Sequence, residues 1–148
     1  MSILPFVLLA LVAGACLPTQ AGINAQLNLW ARSPVLAAAI SFAVGTAALG
    51  LYALMTRVPV PAVAGLYRHP WWIWTGGFLG AFFVASTVVL APRMGAASMV
   101  ALIIGGQMTT SLFLDHFGLL GYDLQPITLW RVLGVCLIVC GVLLIRLR

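Results

Sequence analysis

Residues 3–29 read ILPFVLLALVAGACLPTQAGINAQLNL, and no Asp, Glu, Lys or Arg interrupts them. The hydrocarbon core of a bilayer is crossed by about 20 consecutive, predominantly apolar residues in a helix. This stretch is therefore long enough to span and to tilt or protrude. Its place near the start of the chain raises the alternative of a secretory leader, since Ala13-Gly14-Ala15-Cys16 loosely resembles a lipoprotein cleavage box. A leader opens with positive charge, however, and no Lys or Arg precedes Arg32. More apolar segments follow, where a mature exported protein would turn hydrophilic. The stretch is expected to be retained as a first transmembrane helix.

The rest of the chain repeats the pattern. Further charge-free or nearly charge-free runs occupy residues 35–55, 71–90, 95–114 and 129–145. Ser33-Pro34 opens the second in the manner of a helix N-terminus, and Ala91-Pro92 is expected to close the third. Of 148 residues, 64% are apolar and 6% charged, with a mean hydropathy of +1.17. A soluble domain carries about 25% charged residues, so lipid must be the solvent for most of this surface. The fold class that follows is an all-α integral membrane protein of five transmembrane helices, with residues 1–148 forming a single transmembrane domain. The short connections 30–34 and 91–94 make helices 1 and 2, and 3 and 4, expected antiparallel neighbours.

Basic charge comes from scattered arginines: Arg32, Arg57, Arg68, Arg93, Arg131, Arg146 and Arg148. Nucleic-acid binding needs a contiguous basic face, and this pattern excludes one. Each Arg instead lies beside an apolar run, where basic residues anchor helix ends at lipid headgroups. Alternating the segments puts Arg57, Arg68 and Arg131 on the side of the N-terminus and Arg32, Arg93, Arg146 and Arg148 on the other. Basic residues orient a membrane protein by their excess on the cytoplasmic side, and this near-balance lets either orientation insert. Many transporters pair two inverted repeats around a midplane site. A chain that inserts both ways can supply both repeats as two copies, an antiparallel homodimer. An oppositely oriented homologous chain is the other partner that would complete it.

Polar residues within the spans mark where function could sit. Gln20, Asn24 and Asn28 are spaced i, i+4, i+8 and share a helical face, with Pro18 and Gly22 able to loosen the backbone beside them. Gln107, Ser111 and Asp115 repeat the spacing in helix 4, next to Gly105, Gly106 and Thr110. Amides turned to lipid are costly, so each face should meet protein, water or a solute. Substrate-binding residues are therefore sought at Gln20, Asn24, Gln107 and Ser111, with Gln20 and Gln107 expected to line one midplane cavity. Interhelical hydrogen bonding that glues the bundle is the competing reading. Asp115 and His116 form the only candidate proton relay, the alternative being an interfacial pair hydrated at the headgroups. Gly76, Gly77 and Gly80 space small residues for close helix approach, with Gly76 and Gly80 making a G-x-x-x-G.

Other chemistries find no support. No His cluster, paired carboxylates or serine with a nearby base is present, so no catalytic residues, metal or cofactor are expected and an enzyme is disfavoured. Cys136 and Cys140 share a helical face but lack further thiolates or a His to complete a metal site. Cys16 lies likewise within an apolar run, and all three cysteines are read as packing residues.

Several ordered motifs together resemble one family. They are PTQAGINAQL at Pro18–Leu27, SFAVGT at Ser41–Thr46, Trp74 followed by Gly76, Gly77, Gly80 and Ala81, APRMGAA at Ala91–Ala97, and GQM followed by Ser111-Leu112 and Asp115-His116-Phe117-Gly118-Leu119. The chain resembles, over essentially its whole length, the YdcZ-like five-helix branch of the drug/metabolite transporter superfamily. The resemblance implies a bacterial inner-membrane exporter that works as an antiparallel pair: dual-topology copies, oppositely oriented partner chains, or fused ten-helix versions. One chain is then an inverted-repeat half of a ten-helix assembly. Pro18, Gln20, Asn24, Gln107, Ser111 and Asp115 fall on characteristic positions of the family, which supplies no substrate. A small-molecule transporter working by alternating access is thus the expectation. The alternative is a non-transporting membrane partner or lipid-handling protein whose polar stripes are packing glue.

Overall fold

A computed structural model of the chain describes residues 3–59 and 70–146. Arg68 and Arg148, counted above for topology, and Pro61 of the second connection lie outside the described residues. All regular elements among them are helical: α1 (Leu4–Ala31), α2 (Pro34–Met55), α3 (Gly76–Met94), α4 (Ala96–Phe117) and α5 (Leu129–Arg146). Short 3-10 turns occupy Trp71–Thr75 and Leu119–Gly121. Four spans, Leu4–Ala31, Pro34–Met55, Trp71–Met94 and Ala96–Phe117, are long and apolar enough to cross a membrane. The apolar part of α5, Leu129–Ile145, is shorter and sits at the lower end of spanning lengths. The chain is an all-α membrane protein.

Local chemistry explains the helix ends. Arg32 takes a left-handed conformation (φ 52°) and its N–H donates to the Asn28 carbonyl at 2.8 Å, which stops α1. Ser33 then caps α2, its hydroxyl accepting from the Leu36 N–H at 3.3 Å, with Pro34 following at the first helical position. Pro18 leaves α1 continuous, although a proline lacks the N–H that would reach the Gly14 carbonyl. Pro92 does not close α3, as the sequence led one to expect. The helix runs on to Met94, and Gly95 ends it at φ +76°, a backbone conformation that suits glycine. The bulky run Trp71–Trp74 forms a 3-10 turn rather than the first α-helical turn of this span, consistent with the modest helix propensity of aromatic and β-branched residues.

The chain divides into two compact units, Met1–Pro92 and Arg93–Arg148. In the first, α1 packs on α2, and the buried apolar positions of that pair are small: Ala21, Ala37 and Ala38. Small side chains let helix axes approach closely where lipid removes the hydrophobic drive for association. Val84, Thr87 and Val88 are buried on α3, and the Thr87 hydroxyl is satisfied by the Val84 carbonyl at 2.8 Å. In the second unit α4 packs on α5, with Met99, Ala101 and Val142 buried. The expected pairing of helices 1 and 2 is observed, whereas the expected pairing of 3 with 4 straddles the two units.

Candidate functional site

In the first unit, α1 presents its polar face along a groove of about 520 Å³ lined by Cys16, Thr19, Gln20, Asn24 and, from α2, Ser41, with Val12, Ala15 and Ile23 as apolar wall. Helical spacing produces this set: Cys16, Gln20 and Asn24 lie one turn apart. Their environments differ sharply. Gln20 is exposed and its side chain makes no hydrogen bond among the described residues. Asn24 is only 3% exposed, and its Nδ2 has no hydrogen-bond partner among the described residues. One turn on, the Asn28 Oδ1 is buried and equally unpartnered. A buried amide group left unsatisfied costs about 1–3 kcal/mol, so this face is not packed as a finished hydrogen-bonded seam. Thr19 is different, because its hydroxyl donates to the Ala15 carbonyl at 2.9 Å.

Among the described residues, the groove carries no charge, and its polar lining consists of amides and hydroxyls with the Cys16 thiol as the one ionisable side chain. Such a lining can donate and accept hydrogen bonds and can shelter apolar surface. It offers nothing to neutralise an ion.

In the second unit, the i, i+4, i+8 face of α4 splits. Ser111 and Asp115 line a groove of about 300 Å³ with Arg131 and Gly134 of α5. Gln107, one turn earlier, does not line it; it is exposed and makes no side-chain hydrogen bond among the described residues. The cavity expected to be shared by Gln20 and Gln107 would join residues of different units, Gln20 lying in Met1–Pro92 and Gln107 in Arg93–Arg148. Of the hydroxyls near Gly105 and Gly106, Thr109 bonds back to its helix, donating to the Gly105 carbonyl at 2.9 Å.

Asp115 and His116 fall within the last turn of α4, because the helix extends to Phe117, beyond the expected end at residue 114. Asp115 holds an ion pair with Arg131, Oδ2 to Nη2 at 3.0 Å, the two side chains being 25% and 30% exposed. Arg131 also donates to the Gln125 carbonyl at 3.1 Å and to the Gln125 side-chain oxygen. The Gln125 N–H donates in turn to the Asp115 backbone carbonyl at 2.8 Å. His116 accepts at Nδ1 from the Ile127 N–H at 3.1 Å. The two candidate relay residues therefore each hold the α4–α5 connection. That connection is turned by Gly118 (φ +57°), Leu120 (φ 57°) and Gly121 (φ +88°). Sequence reasoning placed Arg131 at the headgroups and missed it as the partner of Asp115. The chain has only two acids, and an acid closing a polar stripe with an Arg opening the next span was the available signal.

The glycines of α3 behave individually. A Cβ built at Gly80 would lie 3.4 Å from the Phe42 ring of α2, whereas at Gly76 and Gly77 nothing among the described residues comes within 4 Å. Close approach within the chain is thus seen at Gly80.

Comparisons with known proteins agree with this architecture. The family described as "Putative inner membrane exporter, YdcZ" matches residues 5–144. The Inner membrane protein YdcZ of Escherichia coli (strain K12) is 32% identical over 78 residues, covering 53% of this chain and 52% of that protein. The match thus spans about half the length of that curated relative. No solved structure matches the chain. Because the family match runs from the first turn of α1 almost to the end of α5, the chain belongs to the YdcZ family of multi-pass inner-membrane proteins.

Proposed function

We propose that the chain exports a small organic solute across the inner membrane as one half of an antiparallel dimer, with Gln20 and Asn24 holding the solute in the α1–α2 groove. The observation that carries the reading is Asn24, 3% exposed with its Nδ2 unpartnered among the described residues, beside an exposed Gln20 whose side chain makes no hydrogen bond there either. A packing residue in a finished bundle has its polar atoms paired; a binding residue keeps a group free for its ligand. The family description, an inner-membrane exporter, supports transport as the class of activity. The near-even split of arginines supports two copies inserted in opposite directions, which together form the inverted repeats that alternating access uses. Gln107 and Ser111 give the second unit a polar face of its own, which the same assay probes separately.

The test is a release assay. Proteoliposomes loaded with a cytoplasmic small-molecule extract are followed by mass spectrometry of the external medium. At least one solute should leave faster with the wild-type chain than from protein-free liposomes, and the Gln20→Leu variant, folded and inserted normally, should lose that difference. Identical release with and without protein for every solute overturns the transport reading. Unimpaired release by Gln20→Leu and by Asn24→Leu removes the α1 site.

A further inference from the structure

The composition of the α1–α2 groove restricts what it can hold. Its polar groups are the Gln20 and Asn24 amides and the Ser41 hydroxyl, while Thr19 is committed to the Ala15 carbonyl. Among the described residues, no carboxylate, guanidinium or imidazole lines it. An ion entering such a groove would exchange its hydration for neutral dipoles, an unfavourable transfer at membrane depth. An uncharged molecule with an acceptor oxygen would satisfy the Asn24 Nδ2, buried and without a partner among the described residues, once that side chain turns toward the groove it lines. Its apolar body would lie against Val12, Ala15 and Ile23.

From this we infer that the ligand of the groove is an uncharged amphiphile: an amide, urea or alcohol head on an apolar body, its oxygen accepting from Asn24. The inference rests on the proposed binding role of this groove and goes beyond it by fixing the charge class of the ligand. It also sets this groove apart from a cation site built on a carboxylate, in whose place the groove has amides. In the second groove the charges of Asp115 and Arg131 are matched to one another.

Cys16 supplies the measurement, because its thiol is exposed and lines the same groove. In a chain carrying Cys136→Ala and Cys140→Ala, Cys16 is the sole thiol, and its alkylation by N-ethylmaleimide reports access to the groove. Benzamide, benzamidinium and benzoate share one shape and differ in charge; toluene shares the ring alone. Benzamide should slow alkylation saturably, whereas the other three at equal concentration should not. Gln20→Leu should weaken benzamide protection by roughly 2- to 10-fold, the loss of one net hydrogen bond. Asn24→Asp should move protection from benzamide toward benzamidinium, an outcome that mere loosening of the helix pair does not produce. Equal protection by toluene shows that the groove takes up apolar matter only and overturns the inference. Preference for either ion in the unsubstituted groove overturns it as well. Because the readout is occupancy, benzamide protection without solute release would leave this inference standing and sink the transport reading, while release with no charge preference in protection does the reverse.

Discussion

The ion pair between Asp115 and Arg131 is expected to be the tie that holds the second unit's connection in place, and its strength can be worked from the geometry. The Nη2–Oδ2 distance is 3.0 Å and both side chains are about three-quarters buried, at 25% and 30% exposure. A charged hydrogen bond contributes about 1.5–3 kcal/mol when sheltered, while exposed pairs contribute about 0–1 kcal/mol. With residual exposure screening the pair, about 1–2 kcal/mol is expected. Arg131 also grips Gln125, whose N–H donates to the Asp115 carbonyl. Arg131→Gln should therefore cost more than Asp115→Asn, since it releases both partners. The assay is reversible unfolding of the purified protein in mixed micelles by SDS titration, run as a double-mutant cycle. A coupling energy near 1 kcal/mol or above between the two positions confirms a working pair. A coupling below about 0.3 kcal/mol, within additivity, refutes the clamp. So does Arg131→Gln costing no more than Asp115→Asn.

Other perturbations test separate parts of the fold. Gly80→Ala puts a methyl at ordinary van der Waals distance, 3.4 Å from the Phe42 ring, and should be neutral or stabilising by up to about 1 kcal/mol. Gly80→Leu should cost about 1–3 kcal/mol by overpacking, and equal stability of the two variants in SDS titration would contradict the α2–α3 contact. At Gly77 nothing among the described residues lies within 4 Å, so Gly77→Leu should leave the folded chain unaffected; loss of crosslinked dimer alone would place that glycine at an interface between copies. Ser33→Ala removes the cap that accepts from Leu36 and should lower stability by about 0.5–2 kcal/mol. A cysteine appended at the C-terminus, with the three native cysteines replaced by alanine, should label from both sides of the membrane in whole cells. Labelling wholly from one side would exclude dual topology.

How far the sequence could be read depends on the range of the physics involved. Span locations were legible because apolar length is a local property: the expected runs at 35–55 and 129–145 became Pro34–Met55 and Leu129–Arg146. Boundaries moved where backbone chemistry outweighed composition. Pro92 was read as a stop, yet proline removes a single hydrogen bond one turn from a helix end. The positive φ of Gly95 terminates the helix outright. Asp115 and His116 moved into α4 because the left-handed Gly118, not the first charge, ends that helix.

The candidate site shows a sharper division between what a chain can and cannot disclose. Spacing of i, i+4, i+8 correctly put Gln20 and Asn24 on one face, since helical periodicity alone decides it. Periodicity is silent about what the face meets. Two faces with the same spacing came out differently: Asp115 found a countercharge in Arg131, sixteen residues away along the chain, whereas the Asn24 Nδ2 has no hydrogen-bond partner among the described residues. The difference lies in the opposite helix. α5 carries an arginine in its first turn, while α2 contributes the buried Ala37 and Ala38 and the groove-lining Ser41, none of which bonds the Asn24 amide nitrogen. Small residues on α2 thus do two jobs at once. They let α1 approach, and they leave the Asn24 amide nitrogen without a hydrogen-bond partner among the described residues, which is why the same spacing ends in an ion pair in one unit and in an unpaired amide in the other.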